Sequence, residues 1–123
     1  ELMVPGKHGS TLGGNPICAT AAATVMKVIE RDGLIERSRN LGEHMAERLR
    51  DMSGVVAVRG HGMFLGAELE HSPGDFAVRC VRGGVIANRT GSGVIRVAPP
   101  LNIEQAELDA GLDRLSAVMG SVS

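Results

Sequence analysis

The residues best suited to chemistry lie in HGSTLGGNP, from His8 to Pro16, immediately ahead of an Ala-rich run. Ser10 and Thr11 place two hydroxyls a few residues before a helix start, and Gly13 and Gly14 let a backbone approach a ligand without side-chain obstruction. Free amides at a helix N-terminus, together with the positive end of the helix dipole, favour an anion there. This is the outline of a phosphate cradle. The competing reading is a capped turn whose hydroxyls meet only their own backbone or water. Arg96 is the second candidate, because it interrupts a β-branched run just before Pro99 and Pro100, where a guanidinium could grip a carboxylate with two prongs. Alternation leaves another reading open, in which Ile95 and Val97 face one way and Arg96 simply points outward.

Other constellations are weaker. Gly60, Gly62 and Gly66 have the wrong spacing for a dinucleotide fingerprint and precede an apolar strand pattern, not a helix. His8, His44, His61, His71, Cys18 and Cys80 show no paired metal-ligand spacing. No GxSxG elbow is present. Cys18 and Cys80 read as two reduced thiols in a chain with no secretory signal.

These candidates must be positioned by regular elements. Residues 1–14 carry Pro5, Gly6, Gly9, Gly13 and Gly14 with no sustained apolar period, and read as an arm or loop. Asn15 followed by Pro16 is a helix start, predicting a helix from Pro16 to about Arg31 with Val25, Val28 and Ile29 as its apolar stripe. After Gly33, the recurrence of Leu34, Ile35, Ser38, Leu41, Met45, Leu49 and Met52 marks a second amphipathic helix. Its Glu36, Arg37, Arg39, Glu43, Glu47, Arg48 and Arg50 read as a solvated face with weak i,i+4 pairs. Val55 to Val58 and Met63 to Leu69 suit two strands joined at Arg59-Gly60-His61-Gly62. A short helix after Pro73, using Phe76, Cys80 and Val81, ends at Gly83-Gly84, before a Val85-Ile86-Ala87 strand. A turn at Gly91 and Gly93 leads to a final strand with Val94, Ile95 and Val97, stopped by Pro99 and Pro100. Asn102 is expected to cap the last helix with Gln105 reaching back, and Ile103, Ala106, Leu108, Leu112, Leu115 and Met119 to line its buried side. The fold class is α/β or α+β, one small sheet with helices packed against it.

Composition narrows the function. The 123 residues carry 13 Lys+Arg against 14 Asp+Glu and only two aromatic residues, both Phe. Such a chain has neither the field nor the rings to hold nucleic acid. No apolar run approaches the roughly 18 to 20 residues that cross a bilayer, and the first residues lack the pattern of a signal peptide. A soluble, cytoplasmic location is the expectation, in a chain whose missing initial Met suggests that it begins downstream of its gene's start.

HGSTLGGNP running into an Ala-rich helix, VRGHGMFLGAEL, then GVIRVAPPLNI and a closing amphipathic helix occur in that order. Together they resemble a class III, pyridoxal-phosphate-dependent aminotransferase, most closely the acetylornithine and ornithine aminotransferase group. The resemblance spans essentially the whole chain but only the C-terminal part of such an enzyme. It implies the small C-terminal domain of a fold-type I transferase: residues 1–14 as a loop, 15–32 as an interdomain helix and 33–123 as the small domain. It implies that Thr11, with Ser10, reaches the pyridoxal 5'-phosphate of the neighbouring subunit in a homodimer, and that Arg96 engages a substrate carboxylate. Arg59 and His8 match positions to which only structural or supporting roles are assigned, and Gly13, Gly14, Asn15 and Pro16 shape the loop.

Lys7 and Lys27 do not match the family lysine that carries the cofactor, so the chain alone is expected to be inactive. Leu12 and Val97 stand where the family commonly has aromatic residues, shrinking apolar area near the site. The implied parent reaction exchanges an amino group between N-acetylornithine and 2-oxoglutarate, in arginine biosynthesis, with ornithine or another ω-amino acid as alternative donor. A non-catalytic association domain and an independent phosphate-binding protein are the remaining readings.

Overall fold

A computed structural model describes residues 9–11, 13–71, 73–91 and 93–121. It contains α1 (Pro16–Arg31), α2 (Leu34–Arg50), β1 (Val55–His61), β2 (Phe64–Leu69), α3 (Phe76–Arg82), β3 (Asn88–Thr90), β4 (Val94–Val97) and α4 (Gln105–Gly120). The chain divides into two compact units, Glu1–Ile35 and Glu36–Ser123.

In the first unit, α1 starts as its sequence predicts. Asn15 Oδ1 accepts from the amides of Ile17 at 2.9 Å and Cys18 at 3.3 Å, and Pro16 occupies the first turn. Thr20 and Thr24 turn their hydroxyls back onto the carbonyls of Pro16 and Thr20, each at 2.8 Å. Gly33 ends the helix at φ +61°, a backbone setting that side-chain-bearing residues avoid.

The second unit is built on a four-stranded antiparallel sheet in the order β1-β2-β4-β3. Antiparallel pairing with helices gathered on one face makes it α+β. Period-two alternation drives Leu65, Ala67 and Leu69 of β2 and Ile95 of β4 into the core. Period-3.6 stripes bring Leu41, Met45 and Leu49 of α2 and Leu108, Leu112, Leu115 and Met119 of α4 onto them. Phe76 and Cys80, one turn apart on α3, are completely buried in the same cluster.

Helix α2 lies very close to the β1–β2 hairpin. A Cβ at Gly42 would sit 2.3 Å from the Gly62 carbonyl oxygen, and Ser38 Oγ accepts from the Met63 amide at 3.3 Å. Only glycine allows that approach.

Several elements differ from the sequence expectation, each for a local reason. The hairpin turns at Gly62-Met63, so Arg59, Gly60 and His61 belong to strand β1. Gly60, at φ +135°, has its missing Cβ filled by the Phe64 carbonyl oxygen, and strand pairing continues past it to His61↔Phe64.

Strand β3 is Asn88–Thr90, not Val85-Ile86-Ala87. Its register, Asn88↔Arg96 to Thr90↔Val94, is set by the return near Gly91 and leaves Val85–Ala87 outside the ladder. Ile86 is 93% exposed there.

Asn102 does not cap α4. It lies in a turn closed by Ile103 N to Pro100 O at 3.0 Å, and Glu104 is the cap position, with its carboxylate on Arg37 at 3.0 Å. Gln105 is therefore the first helical residue, and Ala106 is exposed. Ile35 and Val81 are exposed as well, each displaced from its helix's buried stripe.

The charged face of α2 is more than a solvated surface. Arg37 donates to the Ile103 carbonyl at 2.7 Å, and Arg48 reaches Asp109 at 3.2 Å and Asp113 at 2.6 Å. His44 Nε2 meets the same Asp109 carboxylate at 2.6 Å. These half-exposed pairs orient α2 against α4 more than they stabilise it.

Candidate functional site

The loop ahead of α1 behaves as a capped turn as far as Ser10 is concerned. Its Oγ accepts from Gly13 N at 2.9 Å, which leaves its O–H available as a donor. Gly14 follows at φ +80°. Thr11 is exposed, and its hydroxyl has no partner among the described residues. The helix end itself is not an open cradle, because Asn15 already takes the amides of Ile17 and Cys18. The anion chemistry available to this segment is therefore hydroxyl donation from Thr11 and Ser10. Lys7, His8 and Leu12 lie outside the described residues. Lys27 is an exposed residue inside α1.

Arg96 belongs to the second unit and sits in the middle of the sheet. Register pairs Arg59 with Gly66, Gly66 with Arg96, and Arg96 with Asn88, so these four residues form one row across all four strands. Directly paired residues project from the same face. That face is the one opposite the core, since Leu65, Ala67 and Ile95 alternate with the row and are buried. Arg59, Arg96 and Asn88 are exposed along it. With strands about 4.8 Å apart, the two arginine Cα atoms stand ~10 Å apart, and only a glycine lies between them.

Glu68, two residues along β2 from Gly66, is diagonal to both arginines. Its carboxylate is bonded to Arg59 Nη2. Arg96 has no hydrogen-bond or ion-pair partner among the described residues. The structure bears out the outward-facing reading of Arg96, which lies on the sheet face away from the core. A planar guanidinium held on a rigid strand with its donors unspent can receive a carboxylate in two-pronged fashion.

Glu68 and Gly66 were not among the predicted site residues. The signal was present in the alternation of Phe64 to Leu69, which puts Gly66 and Glu68 together on the face away from Leu65, Ala67 and Leu69.

Val97 pairs with Leu65 on the core side, opposite to Arg96. The smaller side chain at this position therefore bears on the apolar interior, where Val97, Pro99, Ile103, Leu108 and Leu112 line a groove of about 330 Å³. It does not shape the face that carries Arg96. Among the described residues, no group of three or more His, Cys, Asp or Glu side chains could hold a metal ion, and no helix is long and apolar enough to cross a membrane.

The family model for aminotransferase class-III matches residues 1–119. The chain belongs to the class III aminotransferase family. It is 39% identical over 120 residues to an ornithine aminotransferase of Staphylococcus carnosus, covering 96% of this chain and 30% of that protein. It is 37% identical over 112 residues to acetylornithine aminotransferase 1 of Bordetella parapertussis, covering 88% of this chain and 28% of that protein. Its fold matches the ornithine aminotransferase of Toxoplasma gondii, whose structure has pyridoxal phosphate at partial occupancy in the active site, with a TM-score of 0.83 and 28% identity over 97% of this chain and 30% of that one. The chain thus spans about 30% of the length of the relatives it matches.

Proposed function

We propose that this chain forms the C-terminal part of an aminotransferase that moves the ω-amino group of an ornithine-type donor to 2-oxoglutarate. The observation that carries the reading is the guanidinium of Arg96 on the open sheet face, without a partner among the described residues, in a chain of this family. The enzyme would use pyridoxal phosphate, which when bound acts as an electron sink at the carbon whose amino group is exchanged. Thr11 would hold the cofactor phosphate through its exposed hydroxyl, with Ser10 donating from the turn that it closes. That contact would be made to the neighbouring subunit, so the complete enzyme is a homodimer with sites shared across its interface. The proposed setting is the cytoplasm, with N-acetylornithine as donor in arginine biosynthesis. Ornithine itself is the second donor to test, because relatives named for it reach 39% identity.

The experiment is a comparison of kcat/KM for ornithine and N-acetylornithine, with 2-oxoglutarate as acceptor, in the complete enzyme that carries this chain. A preference for N-acetylornithine supports the biosynthetic assignment, a preference for ornithine moves the enzyme to the second donor, and failure with both overturns the reading. Thr11→Val, which removes only the hydroxyl, is expected to weaken pyridoxal phosphate binding about 10- to 100-fold, as loss of a hydrogen bond to a charged group does. Cofactor titration of the apo-enzyme by absorbance checks this, and unchanged affinity would remove Thr11 from the site.

A further inference from the structure

We propose that Asp32-Gly33 is a site of spontaneous backbone isomerisation, and that the guanidinium fork of Arg31 is the group that restrains it. The inference is independent of the role proposed for Arg96. Asp32 is the only Asp or Asn of the chain that is followed by glycine. A glycine leaves the next amide nitrogen unscreened by a Cβ. Where a Cβ would stand at Gly33, no atom beyond its chain neighbours comes within 4 Å. The dipeptide closes α1, and helix ends are the first part of a helix to open. There the Gly33 amide rests on the Glu30 carbonyl at 3.2 Å, the long end of the hydrogen-bond range.

The reaction needs no partner but water. The Gly33 nitrogen attacks Cγ of Asp32: a C–N bond forms, the carboxyl C–O bond breaks, and the carboxyl hydroxyl leaves with the amide proton as water. Water then opens the five-membered imide at either carbonyl, returning Asp32 or leaving an isoaspartate whose main chain runs through Cβ. The oxygen departs from the protonated carboxyl, because a carboxylate is both a poor electrophile and a poor source of a leaving group. In the folded chain both oxygens are taken. Arg31 Nε donates to Oδ1 at 2.6 Å and Nη2 to Oδ2 at 2.9 Å. These hydrogen bonds hold the Asp32 carboxyl below the usual carboxylate range. They also tether Cγ, which cannot turn over the Gly33 nitrogen without breaking both. Exposed pairs of this kind contribute little to stability. The same small free energy acts here on a rate, and so on how long the link between α1 and α2 keeps its native backbone.

The test is isoaspartate formation in the 123-residue chain at neutral pH and physiological temperature, read by isoaspartate-specific carboxyl methylation and by the loss of one water in the mass of the imide. Arg31→Ala is expected to raise the rate about two- to fivefold, the factor that an exposed ion pair commands. Salt at about 1 M, which screens exposed charges, is expected to narrow that gap by speeding the wild type alone. In urea, where the fork is lost, the two chains are expected to react alike. Arg39→Ala, which breaks the exposed pair with Glu36, is expected to leave the rate unchanged. Equal rates in the wild type and Arg31→Ala, a gap that persists in urea, or an equal acceleration by Arg39→Ala overturns the inference. Isoaspartate found at other residues and not at Asp32 overturns it as well.

Discussion

Arg96→Ala in the complete enzyme is expected to raise KM for 2-oxoglutarate about a hundredfold, corresponding to about 3 kcal/mol for the loss of a charge-assisted contact. The size of the effect follows from where Arg96 sits. Its strand is paired on both sides, through Gly66 of β2 and Asn88 of β3, so the guanidinium is carried by a backbone held along both edges. No acidic side chain among the described residues consumes its donors. Arg96→Lys keeps the charge but loses the planar fork, and should fall between the wild type and the alanine variant. Steady-state kinetics with 2-oxoglutarate varied at a saturating donor concentration checks both variants.

Phe76→Ala should lose about 3–5 kcal/mol of folding stability, the cost of an emptied aromatic site in a closed core. Phe76 is fully buried on α3 and lies in the cluster that joins α2, α4 and the sheet. A loss of that size is a large fraction of the roughly 5–15 kcal/mol that a domain possesses. Urea denaturation should show a lower midpoint with an unchanged slope. Val81→Ala is the matched control. Val81 occupies the same helix but is 64% exposed, so its truncation should shift stability by no more than about 0.5 kcal/mol.

Long periodic segments were legible from the sequence because local signals and burial agree there. The Asn15-Pro16 start, the Gly33 stop and the stripe through Leu41, Met45 and Leu49 each follow from a local rule. What escaped was decided at a distance. Val85–Ala87 has the better strand composition, yet Asn88–Thr90 forms β3 because the return to β4 fixes the register there. Asn102 is a better cap residue than Glu104, yet Pro100 closes a turn that draws Asn102 off the helix start, and Glu104 meets Arg37 instead.

The site divides in the same way. Arg96, Ser10 and Thr11 stand out by residue type and context. Glu68 acquires meaning only through a register that places it diagonal to two arginines, and no single strand contains that information. The hydroxyl loop offered the reverse lesson, since the sequence favours an anion at the helix end but its own Asn15 reaches those amides first.

The two cysteines of this chain are unlike each other. Cys80 is completely enclosed, and burial pushes its thiol above the ordinary range, whereas Cys18 is exposed. Only the thiolate attacks an alkylating reagent, so Cys18 reacts in the native state while Cys80 must wait for the protein around it to open. When reclosing is fast, the gap between the two labelling rates measures the fraction of time that the protein around Cys80 stands open. The chain therefore carries its own paired clock, with a fast hand that counts reagent and a slow hand that counts breathing of the core.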